Sequence, residues 1–86
     1  MMNEKLEKAV AESKQLPAKP DNETLLELYS FYKQAKEGDA PEEGNYNMFD
    51  FVAKAKHTAW LKLKGMSSED ATDKYVALVD KLKQNT

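Results

Sequence analysis

The sequence has no cysteine and no arginine, and only one histidine and one tryptophan among 86 residues. Without thiols, a disulfide scaffold, a thiolate zinc site and a cysteine nucleophile are excluded. A single histidine, His57, excludes a multi-histidine metal site. With no arginine, all 13 basic residues are lysines. Any phosphate bound here is therefore met by ammonium groups acting as point charges, without the bidentate guanidinium fork. Long apolar runs are also missing. The longest, at 75–79, has five residues, far short of a membrane span. The opening stretch carries Glu4, Lys5, Glu7, Lys8, Glu12 and Lys14 and has no apolar segment of signal-peptide length, so the chain is expected to be cytoplasmic. A net charge of -2 gives no bulk attraction for polyanions. Residues 1–86 suffice for one domain, and two would leave neither with a core.

What is present is helical. The hydrophobic set is 41% of the chain, enough for a small core and too much for a disordered chain. Three glycines and three prolines fall in clusters. Pro17 and Pro20 bracket a turn; Gly38, Pro41 and Gly44 mark a longer loop; Gly65 marks a tight stop. Between them the periodicity predicts four helices. The first covers 3–16, with Asn3 as N-cap and a stripe of Leu6, Ala9, Val10, Ser13 and Leu16. The second covers 22–36, capped by Asp21 or Asn22, with a stripe of Leu25, Leu28, Tyr29, Tyr32 and Ala35. The third covers 49–64, with Val52, Ala55, Ala59 and Leu63 on one face and Trp60 close by. The fourth covers 68–84. Ser67 opens it with acids in the first turn, and Ala71, Tyr75, Leu78 and Leu82 form its stripe. Helices of this length are marginal alone, so the stripes must pack on one another. The expected fold class is all-α, a four-helix bundle with a long connection between helices two and three.

Charge is uneven along the chain. Residues 37–50 hold five acids and no lysine, whereas residues 51–66 hold Lys54, Lys56, Lys62 and Lys64 and no acid. A near-neutral total thus hides a basic third helix, which alone reads as a solvated face. Enzyme chemistry is poorly supplied. There is no thiol and no nucleophile elbow, and the many carboxylates read as helix-start and surface acids. No glycine-rich loop is present to cradle a phosphate. The cluster that could carry chemistry is Tyr29-Ser30-Phe31-Tyr32-Lys33. On a helix, Tyr29, Tyr32 and Lys33 share one face. Phenols stack on bases and donate to phosphate, and an ammonium neutralises it. The alternative reading is that Tyr29 and Tyr32 are core aromatics with polar tips at the rim.

With these residues in view, the sequence resembles the acyl-CoA-binding protein family, also called diazepam-binding inhibitor, over nearly its whole length. The resemblance is carried by Leu16-Pro17-Ala18-Lys19-Pro20, by Leu28-Tyr29-Ser30-Phe31-Tyr32-Lys33-Gln34-Ala35 and by Gly38-Asp39. After the loop it continues with Asp50-Phe51, Lys54-Ala55-Lys56, Ala59-Trp60 and Leu63-Lys64-Gly65, then Ser67, Glu69-Asp70-Ala71 and Tyr75. It implies an up-down-down-up four-helix bundle, no catalysis, no metal and no cofactor. The implied ligand is a medium- to long-chain fatty acyl-CoA, protected and carried within the cell between enzymes and membranes. The resemblance assigns the ribose 3′-phosphate to Lys33 and Lys56. It places Tyr29, Tyr32 and Tyr75 against the head group, within a contacting block that includes Ser30 and Phe31. Lys14 falls near the adenine, and Leu6, Ala9, Leu25 and Leu26 fall along the acyl groove.

The chain departs from the family pattern at several points. Leu6 stands where an aromatic is common. Asn45-Tyr46-Asn47 replaces an Arg-Pro-Gly run, with one extra residue in the loop. Val52 stands where lysine is frequent, Ala53 where glycine is frequent, and His57 where a second tryptophan is usual. The residues and the resemblance agree on the kind of site required. An acyl-CoA has a polyanionic head and a greasy tail, so lysines and tyrosines must sit at one end and an apolar groove at the other. The partners expected are long-chain acyl-CoA, acyl-CoA-using enzymes and a membrane surface, with no nucleic acid and a monomeric chain. The competing readings are a helical protein-interaction module, a nucleic-acid binder using the basic third helix, and an acyl-CoA hydrolase. Acidity, the lack of arginine and the lack of a stacking platform weigh against nucleic acid.

Overall fold

The computed structural model describes residues 4–44 and 46–84. These form four helices, α1 (Glu4–Ser13), α2 (Asn22–Glu37), α3 (Phe51–Leu61) and α4 (Ser68–Gln84), with no strand among the described residues. The caps are local chemistry written in the sequence. The Asp21 carboxylate accepts the Thr24 N–H at 2.8 Å and starts α2, and Asp50 accepts from Ala53 at 3.0 Å to start α3. The Ser67 hydroxyl accepts from Asp70 at 3.0 Å at the head of α4. Gly38 stops α2 at φ 81°, a left-handed conformation open to glycine, and its N–H closes on the Gln34 carbonyl at 3.0 Å.

The bundle runs up-down-down-up, and individual contacts fix each direction. The Trp60 indole N–H donates to the Gly38 carbonyl at 2.8 Å, which joins the C-terminal ends of α2 and α3, so these two helices run parallel. Ser68, opening α4, donates to Ala35 near the end of α2 at 2.6 Å, so α4 runs against α2. Lys83 pairs with Glu12 at 2.8 Å, bringing the end of α4 to the end of α1. A parallel α2–α3 pair requires the chain to return the length of α2, about 24 Å at 1.5 Å per residue. The 38–50 connection makes that return. It is pinned by Trp60, by the His57 Nε2 at 2.6 Å from the Pro41 carbonyl oxygen, and by Asp39, which accepts from Gln34 at 2.8 Å and Gly65 at 2.9 Å.

The core is small. Leu6, Ala9, Leu28, Ala35, Ala71, Tyr75 and Val79 are buried together, with Val10, Phe31, Tyr32, Met66, Leu78 and Leu82 packed around them. α4 is central, resting on both α1 and α2, while the main interface of α3 is with α2 alone.

Four sequence expectations are corrected by the structure. α1 ends at Ser13 rather than Leu16. No glycine cap follows it, and Lys14 and Gln15 bond back to Ala11 and Glu12 in a tightened turn ahead of Pro17. The expected cap Asn3 lies outside the described residues. α3 is shorter at both ends, because Asp50 is its cap rather than its second residue, and the chain after Leu61 tightens into successive turns up to Gly65. The buried face of α3 is also different from the apolar stripe. Val52 is 65% exposed, and the helix instead buries Trp60 and His57, each with a backbone carbonyl beside its ring nitrogen. In α4 the stripe holds at Ala71 and Tyr75, but the most deeply buried residue beyond them is Val79, with Leu78 and Leu82 only partly covered.

Candidate functional site

α1, α2 and α4 enclose an open, largely apolar pocket of about 300 Å³. Val10, Ser13, Leu16 and Pro20 form one wall, Leu25, Leu28, Tyr29 and Tyr32 of α2 form the second, and Tyr75 of α4 closes it. The three tyrosines meet because Tyr29 and Tyr32 are three apart on α2, and Tyr75 faces them across the α2–α4 seam. The Tyr32 and Tyr75 rings lie 6.3 Å apart at 54°, a tilted aromatic pair. The Tyr75 hydroxyl donates to the Ser13 hydroxyl at 3.3 Å, and Ser13 in turn donates to the Val10 carbonyl at 2.7 Å. These bonds tie the end of α1 to the pocket wall.

Lysines stand over two of these tyrosines and over the neighbouring Trp60 of α3. Lys56 Nζ is 5.3 Å from the centre of the Tyr29 ring, Lys33 Nζ is 5.0 Å from the Trp60 ring, and Lys36 Nζ is 6.0 Å from the Tyr32 ring. The parallel register explains this spacing, since Tyr29 and Lys33 are one turn apart on α2 and meet Lys56 and Trp60, one turn apart on α3. Lys33 is also ion-paired with Glu37, one turn further on. The Glu37 carboxylate raises the Lys33 pKa above its ordinary value, against the opposing effect of partial burial. An anion arriving at Lys33 must therefore share it with Glu37.

The structure gathers part of the expected residue set. Leu25, Tyr29, Tyr32 and Tyr75 line the pocket, and Lys33 and Lys56 stand beside its tyrosine wall. Lys14 is exposed on the turn directly after Ser13. Leu26 is half-buried outside the pocket lining. Leu6 and Ala9, each 1% exposed, are in the α1–α4 core, and Phe31 packs against that core. Ser30 is buried and donates to Glu27 within its own helix at 2.9 Å. Sequence reasoning missed Ser13, Leu16, Pro20, Leu28 and Val10 as wall residues. Their signal was present as the three-residue rhythm Val10, Ser13, Leu16 running into Pro17 and Pro20, but it reads equally well as packing.

A larger depression, about 820 Å³, lies where Lys5, Lys36 and Ser68 approach one another, but Glu4, Glu7, Glu69 and Asp73 line it too. Size does not make it the better anion site, because four carboxylates repel a polyanion. The smaller pocket combines an apolar interior with ammonium groups at its edge. Among the described residues, no group of three His, Asp or Glu side chains is placed to hold a metal ion, and no helix is long and apolar enough to cross a membrane.

Comparison with known proteins gives a consistent picture. The family model described as Acyl CoA binding protein matches residues 3–79. The acyl-CoA-binding protein of Saccharomyces cerevisiae is 45% identical over 84 residues, covering 95% of this chain and 93% of that protein. An acyl-CoA-binding protein homolog of Manduca sexta is 38% identical over 81 residues, covering 94% and 90% respectively. The crystal structure of Oryza sativa acyl-CoA-binding protein 2 superposes with a TM-score of 0.81 at 34% identity, over 92% of this chain and 87% of that one.

Proposed function

This chain belongs to the acyl-CoA-binding protein family, and on that premise we propose how its side chains divide an acyl-CoA between them. The family binds and carries its thioester and does not transform it, so the chain is a carrier and pool former for fatty acyl-CoA and not an enzyme. No cofactor takes part.

In the proposed arrangement, Lys56 and Lys33 meet the 3′-phosphate from two parallel helices, and Lys14 approaches the adenine from the turn after α1. Tyr29, Tyr32 and Tyr75 wall the head group, with Ser30 and Phe31 supporting that wall from within α2. Leu25 and Leu26 carry the start of the acyl groove. Leu6 and Ala9 support it from behind, by holding α1 on α4. A tail of a dozen or more methylenes contributes roughly 0.8 kcal/mol per buried CH₂, much of it offset by ordering and association. The tail thus sets chain-length preference, and the phosphate contacts distinguish a CoA ester from a free fatty acid. We also propose that the chain works as a cytoplasmic monomer and delivers its cargo to acyl-CoA-using enzymes or to a membrane surface.

The observation that carries this reading is the placement of Lys56 and Lys33 beside an apolar pocket walled by Tyr29, Tyr32 and Tyr75. Isothermal titration with a long-chain acyl-CoA, free CoA and the matching fatty acid tests it. Tight one-to-one binding of the thioester, weak binding of CoA and no fatty-acid signal are expected. No heat with any of the three would refute a two-ended ligand site.

A further inference from the structure

The largest apolar side chains on the surface are clustered in sequence. Met48, Phe49, Phe51 and Val52 are 75%, 77%, 72% and 65% exposed. They occupy the turn before α3 and its first two residues, at the far end of the connection pinned by His57 and Trp60. None of them belongs to the pocket lining described above. A soluble monomer exposes single apolar residues freely, but contiguous apolar patches of this kind mark contact surfaces.

The one acid inside the run, Asp50, is exposed and serves as a helix cap. Its carboxylate accepts the Ala53 N–H at 3.0 Å as the α3 cap. Behind the patch the surface is cationic. Phe51, Ala55, Thr58 and Lys62 recur at helical spacing on the side of α3 opposite the buried His57 and Trp60, and Lys54 is exposed on its flank. No acid occurs in residues 51–66. Upstream of Asp50 the next acids are Glu43 and Glu42, and Glu42 lies 3.8 Å from Lys64. An apolar tip holding a single acid and backed by Lys54 and Lys62 matches the layering of an anionic bilayer, where hydrocarbon lies beneath negatively charged headgroups.

We propose that Met48, Phe49, Phe51 and Val52 form a membrane-docking tip that inserts shallowly into anionic lipid, with Lys54 and Lys62 on the headgroups. The proposal deepens the carrier reading by naming a delivery surface, but it stands on this patch and not on the pocket. Insertion is shallow and reversible, since four side chains amount to much less than a transmembrane helix.

Vesicle flotation of the full chain tests it, with phosphatidylcholine alone and with an equal mixture of phosphatidylcholine and phosphatidylserine. The chain is expected to float with the mixed vesicles and much less with the neutral ones. The Met48→Ser/Phe49→Ser variant should lose roughly tenfold or more in partitioning. Lys54→Gln and Lys62→Gln should each lose roughly fivefold, an effect that shrinks as salt is raised. Circular dichroism checks that each variant remains folded, which the exposure of all four positions favours. No flotation with mixed vesicles, or unchanged flotation of Met48→Ser/Phe49→Ser, overturns the proposal. Two further results also overturn it. One is a dimer in sedimentation equilibrium that the double substitution abolishes, which would assign the patch to a second copy. The other is an equal loss of acyl-CoA affinity by the double variant in vesicle-free titration, which would assign it to the acyl tail. Failure to float with normal acyl-CoA titration would leave the carrier reading intact, so the two readings fail separately.

Discussion

Replacing Lys56 by alanine removes one ammonium from the proposed phosphate site and leaves the fold intact, because the side chain is exposed and its one aromatic contact is with Tyr29 at 5.3 Å. A hydrogen bond to a charged group contributes about 1.5–3 kcal/mol. In the free protein Lys56 already has a cation–π contact worth roughly 0.5–1 kcal/mol at an exposed site. If binding draws the ammonium off the ring, the net loss in the variant is about 0.5–2.5 kcal/mol, or roughly two- to seventyfold in affinity. The discriminating assay is a cycle of four titrations, parent and Lys56→Ala, each with an acyl-CoA and with its 3′-dephospho analogue. The variant should lose most with the full ligand and little with the analogue. Raising salt should narrow the difference, because the site is solvent-accessible. Equal losses with the two ligands would refute the assignment, since Lys56 would then act on something other than the 3′-phosphate. Equal affinity of variant and parent for the full ligand would remove Lys56 from the site altogether.

Removing the competitor of Lys33 has the opposite sign: Glu37→Gln frees the ammonium and should tighten acyl-CoA binding by about 0.3–0.5 kcal/mol in titration, the range of an ion pair one helical turn apart. Gln34 is fully buried and donates to Asp39 and to the Met66 carbonyl at 2.8 and 2.9 Å; Gln34→Leu takes a donor from each, while Asp39 keeps the Gly65 N–H and water, and should lower urea-unfolding stability by about 1–3 kcal/mol. Gly44→Ala drives a methyl group into the Tyr46 ring and to 2.8 Å from His57 Nδ1; the ring must swing away, and a loss of about 1–3 kcal/mol is expected in the same assay. The Asp39 carboxyl is held below its ordinary value of 3.8 by the Gly65 N–H, then the Gln34 amide, with Lys64 adding to both. A depressed carboxylate stabilises the fold above its unfolded pKa and loses that contribution as pH falls through the lower folded value. Asp39→Asn should therefore flatten the decline of thermal stability with pH below 3.8, and an unchanged acid profile would show that the loop bonds are not made in solution.

Much of this was legible in the sequence wherever one local rule acted alone. α4 begins at Ser68 as expected because a serine followed by two acids leaves few alternatives for an N-cap. α2 ends at Gly38 because glycine adopts a backbone conformation that side chains resist. Periodicity failed on α3, where Val52, Ala55, Ala59 and Leu63 form a plausible apolar face. That helix packs chiefly on α2 and must also hold the returning loop, so it buries the two side chains that combine bulk with a polar ring nitrogen, His57 and Trp60. Hydropathy ranks neither of them above valine. At the site, Tyr29, Tyr32 and Tyr75 were identifiable from the resemblance, but the α1 wall was not. A stripe such as Val10, Ser13, Leu16 looks identical whether it covers a core or lines a pocket, and only the positions of Tyr75 and Pro20 decide between them.

The attachment of α3 has a consequence for how the molecule breathes. With its main interface on α2 alone, this helix resembles the loose leaf of a hinged table, held by one seam and by the indole and imidazole pins. Opening that seam exposes little of the core, which lies among α1, α2 and α4, so its amides should exchange with deuterium faster than those of α4. A ligand held by Lys33 on α2 and by Lys56 on α3 would bolt the leaf in place. Protection gained on binding should then be greatest in the least stable part of the chain, and a cargo that slipped free would leave a doorway already half open for its successor.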